Sequence, residues 1–477
     1  MRPVPPLRYS LVLLCAVLAT GCSVTPAYHR PVTPEPAAFK EAHGFVPAAP
    51  ADLLERGPWW RLFGDPVLDE LMASVDISNQ NVAQAVAAYD QARAQVTQQR
   101  ASLFPLLALD ASANRSGARG EGDLGDRYRL SLDGSWEPDV WGRLRAGVAG
   151  ANAIVQSSAA DLAGARLSAQ GALASSYFSL RSFDAQRALL ATTIEGYKRV
   201  LQITRNRYEA GIAPQSDVLQ AETQLANSQA DDLTLANQRA QAEHTIAILI
   251  GKAPADFSLP VAPVRITIPE VPAGVPSTLL QRRPDIAAAE RRVAAANNQI
   301  GVARAAYFPN IGLNASYGST TSAVPDLLKA SNAVWALGMT AAQTLFNAGA
   351  TSAAVKVAHA QHESAVAQYR QTVLNAFGAV EDQLAATRIL AEQNELRRKA
   401  TEAADKVETQ LQNRYKMGQV VYTDVVTAQV TALNARRALV QLEASRQLAA
   451  VALIQALGGG WHADLLAEDS PDQMRAR

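Results

Sequence analysis

Few residues of this 477-residue chain have the type and spacing to carry out covalent chemistry. His359 and His362 stand one helical turn apart, with Glu363 beside the second. Without a third ligand such a pair reads as a solvated helix face, so no metal site is expected. Ile250-Gly251-Lys252-Ala253 lacks the first glycine and the Ser/Thr of a phosphate-binding loop. No nucleophile is set beside a base, and no acid/base pair stands out. The reading is a protein that is not an enzyme and uses no cofactor. Lys plus Arg number 44, as do Asp plus Glu, so nothing points to nucleic acid as a partner.

The chemistry expected at Cys22 is modification. Arg2 and Arg8 precede a short apolar run, Tyr9 to Leu18, which is too short for a bilayer. The run ends in Leu18-Ala19-Thr20-Gly21-Cys22, and small residues before a Cys resemble a bacterial lipoprotein cleavage site, although the usual Leu three places before the Cys is Ala19. Residues 1–21 are therefore read as a signal peptide and Cys22 as the lipid attachment point. Cys15 leaves with the signal, so the remaining chain has no disulfide. Ser23, a non-Asp residue, follows.

Two clusters of charge and tyrosine could hold a movable contact. Arg207-Tyr208-Glu209-Ala210-Gly211 is followed by Asp217, and Arg414-Tyr415-Lys416-Met417-Gly418 by Asp424. Arg, Tyr, Gly and Asp recur at a constant offset of 207, and Phe104-Pro105 recurs as Phe308-Pro309 at an offset of 204. The chain is a tandem repeat. Its boundaries read as 22–57, a Pro/Ala-rich, poorly packed tether; 58–251, the first repeat; 252–276, a Pro-rich linker; 277–458, the second repeat; and 459–477, a tail.

Long helices must position these clusters. No proline lies between Pro138 and Pro214, or between Pro325 and Pro471, and an interior proline costs a helix about 3 kcal/mol. Helices are predicted over Gly142–Tyr208, Ser216–Ile250, Ala350–Tyr415 and Thr423–Leu457, with a shorter one over Asn79–Ala101. Helices this long need lateral partners.

After each Phe-Pro the pattern changes to period two. Leu107, Leu109, Ala111 and Ala113 alternate with polar residues, as do Tyr128, Leu130, Leu132 and Trp136. Ile311, Leu313, Ala315 and Tyr317 alternate in the second copy, and Trp335, Leu337 and Met339 share a face. Each segment has about the 9–11 residues of a membrane strand. No apolar run of 18 residues follows Cys22, so a membrane crossing would have to be a β-barrel. Four strands cannot close one; two copies supply about eight, whose lumen side chains would fill, and three supply about twelve, enough for a water-filled pore. Asp110, Asn114, Asp133 and Asn314 would line it.

Several segments are similar to the outer membrane factor family, the TolC-like exit ducts of RND-type efflux systems. They are Trp59-Trp60-Arg61-Leu62-Phe63-Gly64-Asp65-Pro66-Val67-Leu68-Asp69, Leu280-Gln281-Arg282-Arg283-Pro284-Asp285-Ile286, Ala289-Glu290-Arg291-Arg292, Ile300-Gly301-Val302-Ala303-Arg304-Ala305-Ala306-Tyr307-Phe308-Pro309 and both Arg-Tyr…Gly hairpins. The resemblance implies a mixed α and β membrane protein, mostly helical. It would be a homotrimer whose twelve-stranded transmembrane β-barrel continues into a periplasmic α-helical barrel. It implies a lipid-anchored place in the bacterial outer membrane, with a periplasmic membrane-fusion adaptor and an inner-membrane RND-type pump as partners. Gly211 and Gly418 would turn the tip hairpins that dock the adaptor. Asp424, Tyr415, Arg414, Asp217, Tyr208 and Arg207 would form the periplasmic gate, opened by an iris-like movement. Members often carry a second acid where this chain has Thr427. A duct for protein or oligosaccharide secretion uses the same physics, and a periplasmic coiled-coil scaffold is the third reading.

Overall fold

The computed structural model describes residues 23–33, 36–42, 58–116, 125–262, 267–269 and 282–461. The expected signal peptide, Cys22, residues 117–124 of the turn after the first strand and the tail from 462 lie outside the described residues. The helices are α1 (Pro66–Ser78), α2 (Gln80–Ala101), α3 (Arg143–Glu209), α4 (Gln215–Leu249), α5 (Pro284–Ala305), α6 (Ala350–Lys416) and α7 (Tyr422–Ala456). The strands are β1 (Leu106–Ser116), β2 (Gly125–Trp136), β3 (Asn310–Thr321) and β4 (Ala333–Ala342). The duplication extends to length, because α3 and α6 each have 67 residues and α4 and α7 each have 35. Every predicted helix end falls within one residue of its observed end, because the punctuating glycines and prolines act locally.

The chain forms two compact units. One contains Ala87–Ala159, Ala288–Gln371 and the chain up to Thr33. It holds an antiparallel sheet in the order β1-β2-β3-β4, leaving β1 and β4 as edges. The other contains Pro34–Val86, Ala160–Ala287 and the chain from Thr372. Among the described residues no helix is long and apolar enough to cross a membrane.

In the second unit, the segment beginning Trp59-Trp60 packs onto α3. Trp59 and Phe63 are buried, and Phe63 meets Phe178 at 4.8 Å between ring centroids. Asp65 caps α1 by accepting from the Val67 and Leu68 amides, and its other oxygen accepts from the Tyr177 hydroxyl at 2.6 Å. Buried Asn79 ends α1 and caps α2, taking the Asn81 and Val82 amides. Its amide nitrogen donates to the Leu249 carbonyl at 2.7 Å, satisfying an orphan at the end of α4. Arg283 does the same for α7, donating to the Ala456 carbonyl at 2.9 Å.

The linker is pinned at its start. Buried Asp184 takes Arg181 at 3.1 Å and Arg239 at 2.6 Å. The two arginines donate to the carbonyls of Pro260 and Leu259, and the Leu259 amide donates to Glu243 at 2.6 Å. Removing Asp184 would leave the buried Arg181 without its acidic partner, at about 3–5 kcal/mol.

The predicted loose tether needs correction. Residues 23–33 form no helix or strand, and residues 36–42 make a turn in which the Ala42 amide donates to the Phe39 carbonyl, but both stretches are anchored. In the first unit the Pro26 carbonyl accepts from Asn297 at 2.9 Å, the Tyr28 hydroxyl donates to the Glu290 carboxylate, and Arg30 donates to the Tyr369 hydroxyl at 3.1 Å. Gly301 permits the approach, since a Cβ there would overlap the Thr25 side chain. In the second unit Phe39 is buried beside Phe377, and the Lys40 and Glu41 amides donate to Glu381 at 2.7 and 2.9 Å. A backbone outside helices and strands leaves most of its amides and carbonyls free, and here side chains from the helices engage several of them.

Candidate functional site

Two places concentrate the features singled out in the sequence, the hairpin ends of the second unit and the sheet of the first. At both hairpin ends the long helix stops in a left-handed glycine, Gly211 (φ 69°) or Gly418 (φ 75°). The Ile212 amide donates to the Arg207 carbonyl and the Gly211 amide to that of Tyr208, at 2.8 and 2.9 Å. Gln419 to Arg414 and Gly418 to Tyr415 repeat the pattern at 2.9 Å each. This motif fixes where Arg and Tyr project, because their carbonyls are the acceptors of the turn.

The two copies then diverge. Tyr415 is 7% exposed, whereas Tyr208 is 45% exposed. Tyr415 packs with Leu201, Val218, Ala221, Tyr422 and Val425. Arg207 reaches across from the first hairpin, with its guanidinium carbon 4.7 Å from the centre of the Tyr415 ring and Nη1 donating to the Tyr415 carbonyl at 3.3 Å. Among the described residues, Arg207 Nε and the Tyr415 hydroxyl are buried with no partner. Such orphans cost about 1–3 kcal/mol each. Arg414 and Asp424 are exposed, Asp217 is half-buried, and none of the three has a side-chain hydrogen bond among the described residues.

Tyr422 is the residue that sequence reasoning missed. It is 3% exposed and lies 5.5 Å from the Tyr415 ring. Burial, then the neighbouring Tyr415, Tyr197 and Asp217, push its phenol well above the ordinary tyrosine value. The available signal was a break in the repeat, since the 207 offset places Gln215 opposite Tyr422. A second break lies nearby. Arg205 and Glu222 form an ion pair at 2.6 Å that clips α3 to α4, and their counterparts are Gln412 and Gln429.

The sheet resolves the four alternating segments into one surface. Leu109 pairs with Leu132, Leu132 with Tyr317, and Tyr317 with Trp335. Directly opposed residues share a face. The next apolar row is Leu107, Gly134, Ala315, Leu337, and Trp136, Leu313 and Met339 form another. The other face carries Asp110 opposite Ser131, Ala108 opposite Asp133, and Ser135 opposite Asn314. On it, the Ser131 hydroxyl donates to Asp133 at 2.7 Å. A one-residue slip in any strand would have destroyed this segregation.

Below the sheet, Trp141 stacks on Phe308 at 4.8 Å and donates to the Pro309 carbonyl at 2.8 Å. Ser23, the residue after Cys22, packs against Gly142 at this level. His359 lies 3.2 Å from Arg304, and no cluster of three metal-ligating side chains exists among the described residues.

A family model described as outer membrane efflux protein matches residues 71–252 and 275–459. The chain is 31% identical over 456 residues to the toluene efflux pump outer membrane protein TtgC of Pseudomonas putida, covering 94% of each. It is 28% identical over 458 residues to the cation efflux system protein CusC of Escherichia coli, covering 94% of this chain and 98% of that one. Among solved structures it resembles the outer-membrane channel OprN with a TM-score of 0.86 and 29% identity, over 92% of this chain and 100% of that one.

Proposed function

The chain belongs to the outer membrane efflux protein family, and from that membership we propose that three copies form the exit duct of a tripartite efflux pump. The duct conducts small molecules passively across the outer membrane. The helices extend into the periplasm and meet a membrane-fusion adaptor and an RND-type inner-membrane pump. The observation that carries this reading is the sheet, in which three apolar rows lie on one face, polar rows on the other, and β1 and β4 remain unpaired edges. Lipid tolerates no open edge, and four strands enclose nothing, so closure has to come from other copies. A scaffold in water has no use for this arrangement. A secretion duct would share it, but the relatives are named for efflux.

Gating belongs to the tip. Arg207 on the Tyr415 ring couples the two hairpins of one chain in the closed state, and an iris-like opening separates them. The orphaned Arg207 Nε and Tyr415 hydroxyl suit a contact that must break without a large penalty. Asp217 and Asp424, repeated three times, place carboxylates around the constriction, where they attract cations. Gly211 and Gly418 present the turns to the adaptor. Cys22 carries the acyl anchor, a reading supported by the small residues that precede it in the sequence.

A pump that exports toluene and one that exports cations use relatives of equal reach. The cargo is therefore set by the pump and not by the duct. Deletion of this chain should sensitise the cell to several compounds at once, and tagged protein should co-purify an adaptor and a pump. An unchanged susceptibility profile with no co-purifying pump would refute the assignment.

A further inference from the structure

The internal repeat fixes the seam between copies, residue by residue. This inference rests on the trimer proposed above and specifies how its edges meet. The two hairpins are related by two offsets, 204 from β1 to β3 and 207 from β2 to β4. Applied to the pair Leu109–Leu132, they return Leu313–Met339, which is an observed pair of the second hairpin. The β2·β3 pairing is the junction between repeats within one chain, and the same junction must recur where β4 of one copy meets β1 of the next.

We infer that β4 pairs antiparallel with β1 of the partner subunit in the register obtained by carrying the β2·β3 register through these offsets. Leu132–Tyr317 and Gly134–Ala315 are the observed templates. They become Met339 against Ala113 of the partner subunit and Ala341 against Ala111 of the partner subunit. The result was not guaranteed, because a shift of one residue would set apolar positions against polar ones. In this register Met339 and Ala341 each meet an alanine, while the template Leu130–Ser319 sets Leu337 against Arg115 of the partner subunit, at the outer end of the strand.

Side chains below the strands point the same way. Within the chain, Trp141 at the exit of β2 stacks on Phe308 at the entrance of β3. At the exit of β4 stand Leu345 and Phe346, 90% and 88% exposed, and at the entrance of β1 stands Phe104, 70% exposed. The 207 offset maps Trp141 to Ala348, so the aromatic at this exit stands two residues earlier, at Phe346. Phe346 covers Phe104 of the partner subunit. Each apolar surface left bare in one copy is thereby matched to one left bare in the next, as a closed ring of head-to-tail contacts requires.

Thiol cross-linking of the full chain in outer membranes tests the register. The in-register pair is Met339→Cys with Ala113→Cys. The control is Met339→Cys with Leu109→Cys, displaced by about 14 Å along the strand. Each single variant measures background from Cys22. Mild oxidation should link the in-register pair between subunits at least about tenfold more than the control, since only directly opposed positions approach disulfide distance. A trimer by native mass spectrometry that links the control pair preferentially, or neither pair, overturns the seam and leaves the trimer standing. A chain that runs as a monomer overturns the trimer and the seam with it.

Discussion

Replacing Arg207 with Ala should unlock the tip. The side chain makes two contacts with the second hairpin, a guanidinium 4.7 Å over the Tyr415 ring and a 3.3 Å hydrogen bond to the Tyr415 carbonyl. A partly desolvated cation–π contact contributes about 1–2 kcal/mol and a charged donor to a carbonyl about 1–1.5 kcal/mol. The ring is 7% exposed, but the bond is long and Nε is unsatisfied, so a total of about 2–3 kcal/mol is the appropriate scale. If the contact exists only in the closed state, its loss shifts the closed-to-open ratio about 30- to 140-fold per subunit. Single-channel recording in planar bilayers reads this as time spent at high conductance. Arg207→Lys keeps the charge but loses the planar stack, and should fall between. Tyr415→Ala should open the channel as Arg207→Ala does. Tyr415→Phe is the discriminating control. Its hydroxyl is buried without a partner, so its removal should not open the channel and should, if anything, favour the closed state. Opening by Tyr415→Phe comparable to that by Arg207→Ala would show that the hydroxyl carries the lock, and the geometric argument would fail.

Three further outcomes follow from the same structure. Ala111→Arg should cost about 2–4 kcal/mol of bilayer stability, whereas Asp110→Arg, on the opposite face, should cost far less; urea-driven unfolding from lipid vesicles compares them. Burial, reinforced by the hydrogen bond to Asp65, pushes the Tyr177 phenol up to about 12 from 10.0. The folded value is the higher one, so this stability is complete below pH 10 and is lost between about pH 10 and 12, amounting to about 2–3 kcal/mol, and Tyr177→Phe should remove that step from an alkaline melt followed by circular dichroism. Gly251→Ala should lower the melting temperature more than Gly211→Ala. Both glycines have left-handed backbones, costing an alanine about 1 kcal/mol, but only at Gly251 would the new Cβ strike the Ser78 carbonyl.

Helix ends and strand faces were legible because the signals are local. A missing proline permits a 67-residue helix, and a glycine after Arg-Tyr ends it. Alternation assigned each strand two faces, but only pairing could say that the four apolar faces coincide. The tip was legible as a place and not as a contact. Recurrence of Arg and Tyr suggested two equivalent pairs, yet packing buries Tyr415 and leaves Tyr208 in solvent, because Tyr422 replaces Gln215 in the second copy. The anchored tether was hidden for another reason. Its partners, Glu290, Asn297, Tyr369 and Glu381, lie hundreds of residues away, and a Pro/Ala-rich segment advertises no packing of its own.

The claim on which the duct depends is that one face of the sheet meets lipid and the other meets water. Nitroxide labels at Tyr317→Cys and Ser316→Cys, neighbours in β3 on opposite faces, test it in reconstituted vesicles. Spin relaxation should be driven by oxygen at Tyr317→Cys and by a water-soluble nickel complex at Ser316→Cys. Equal access of the nickel complex to both positions would mean that the apolar rows lie in water, and the chain would not be an outer-membrane channel.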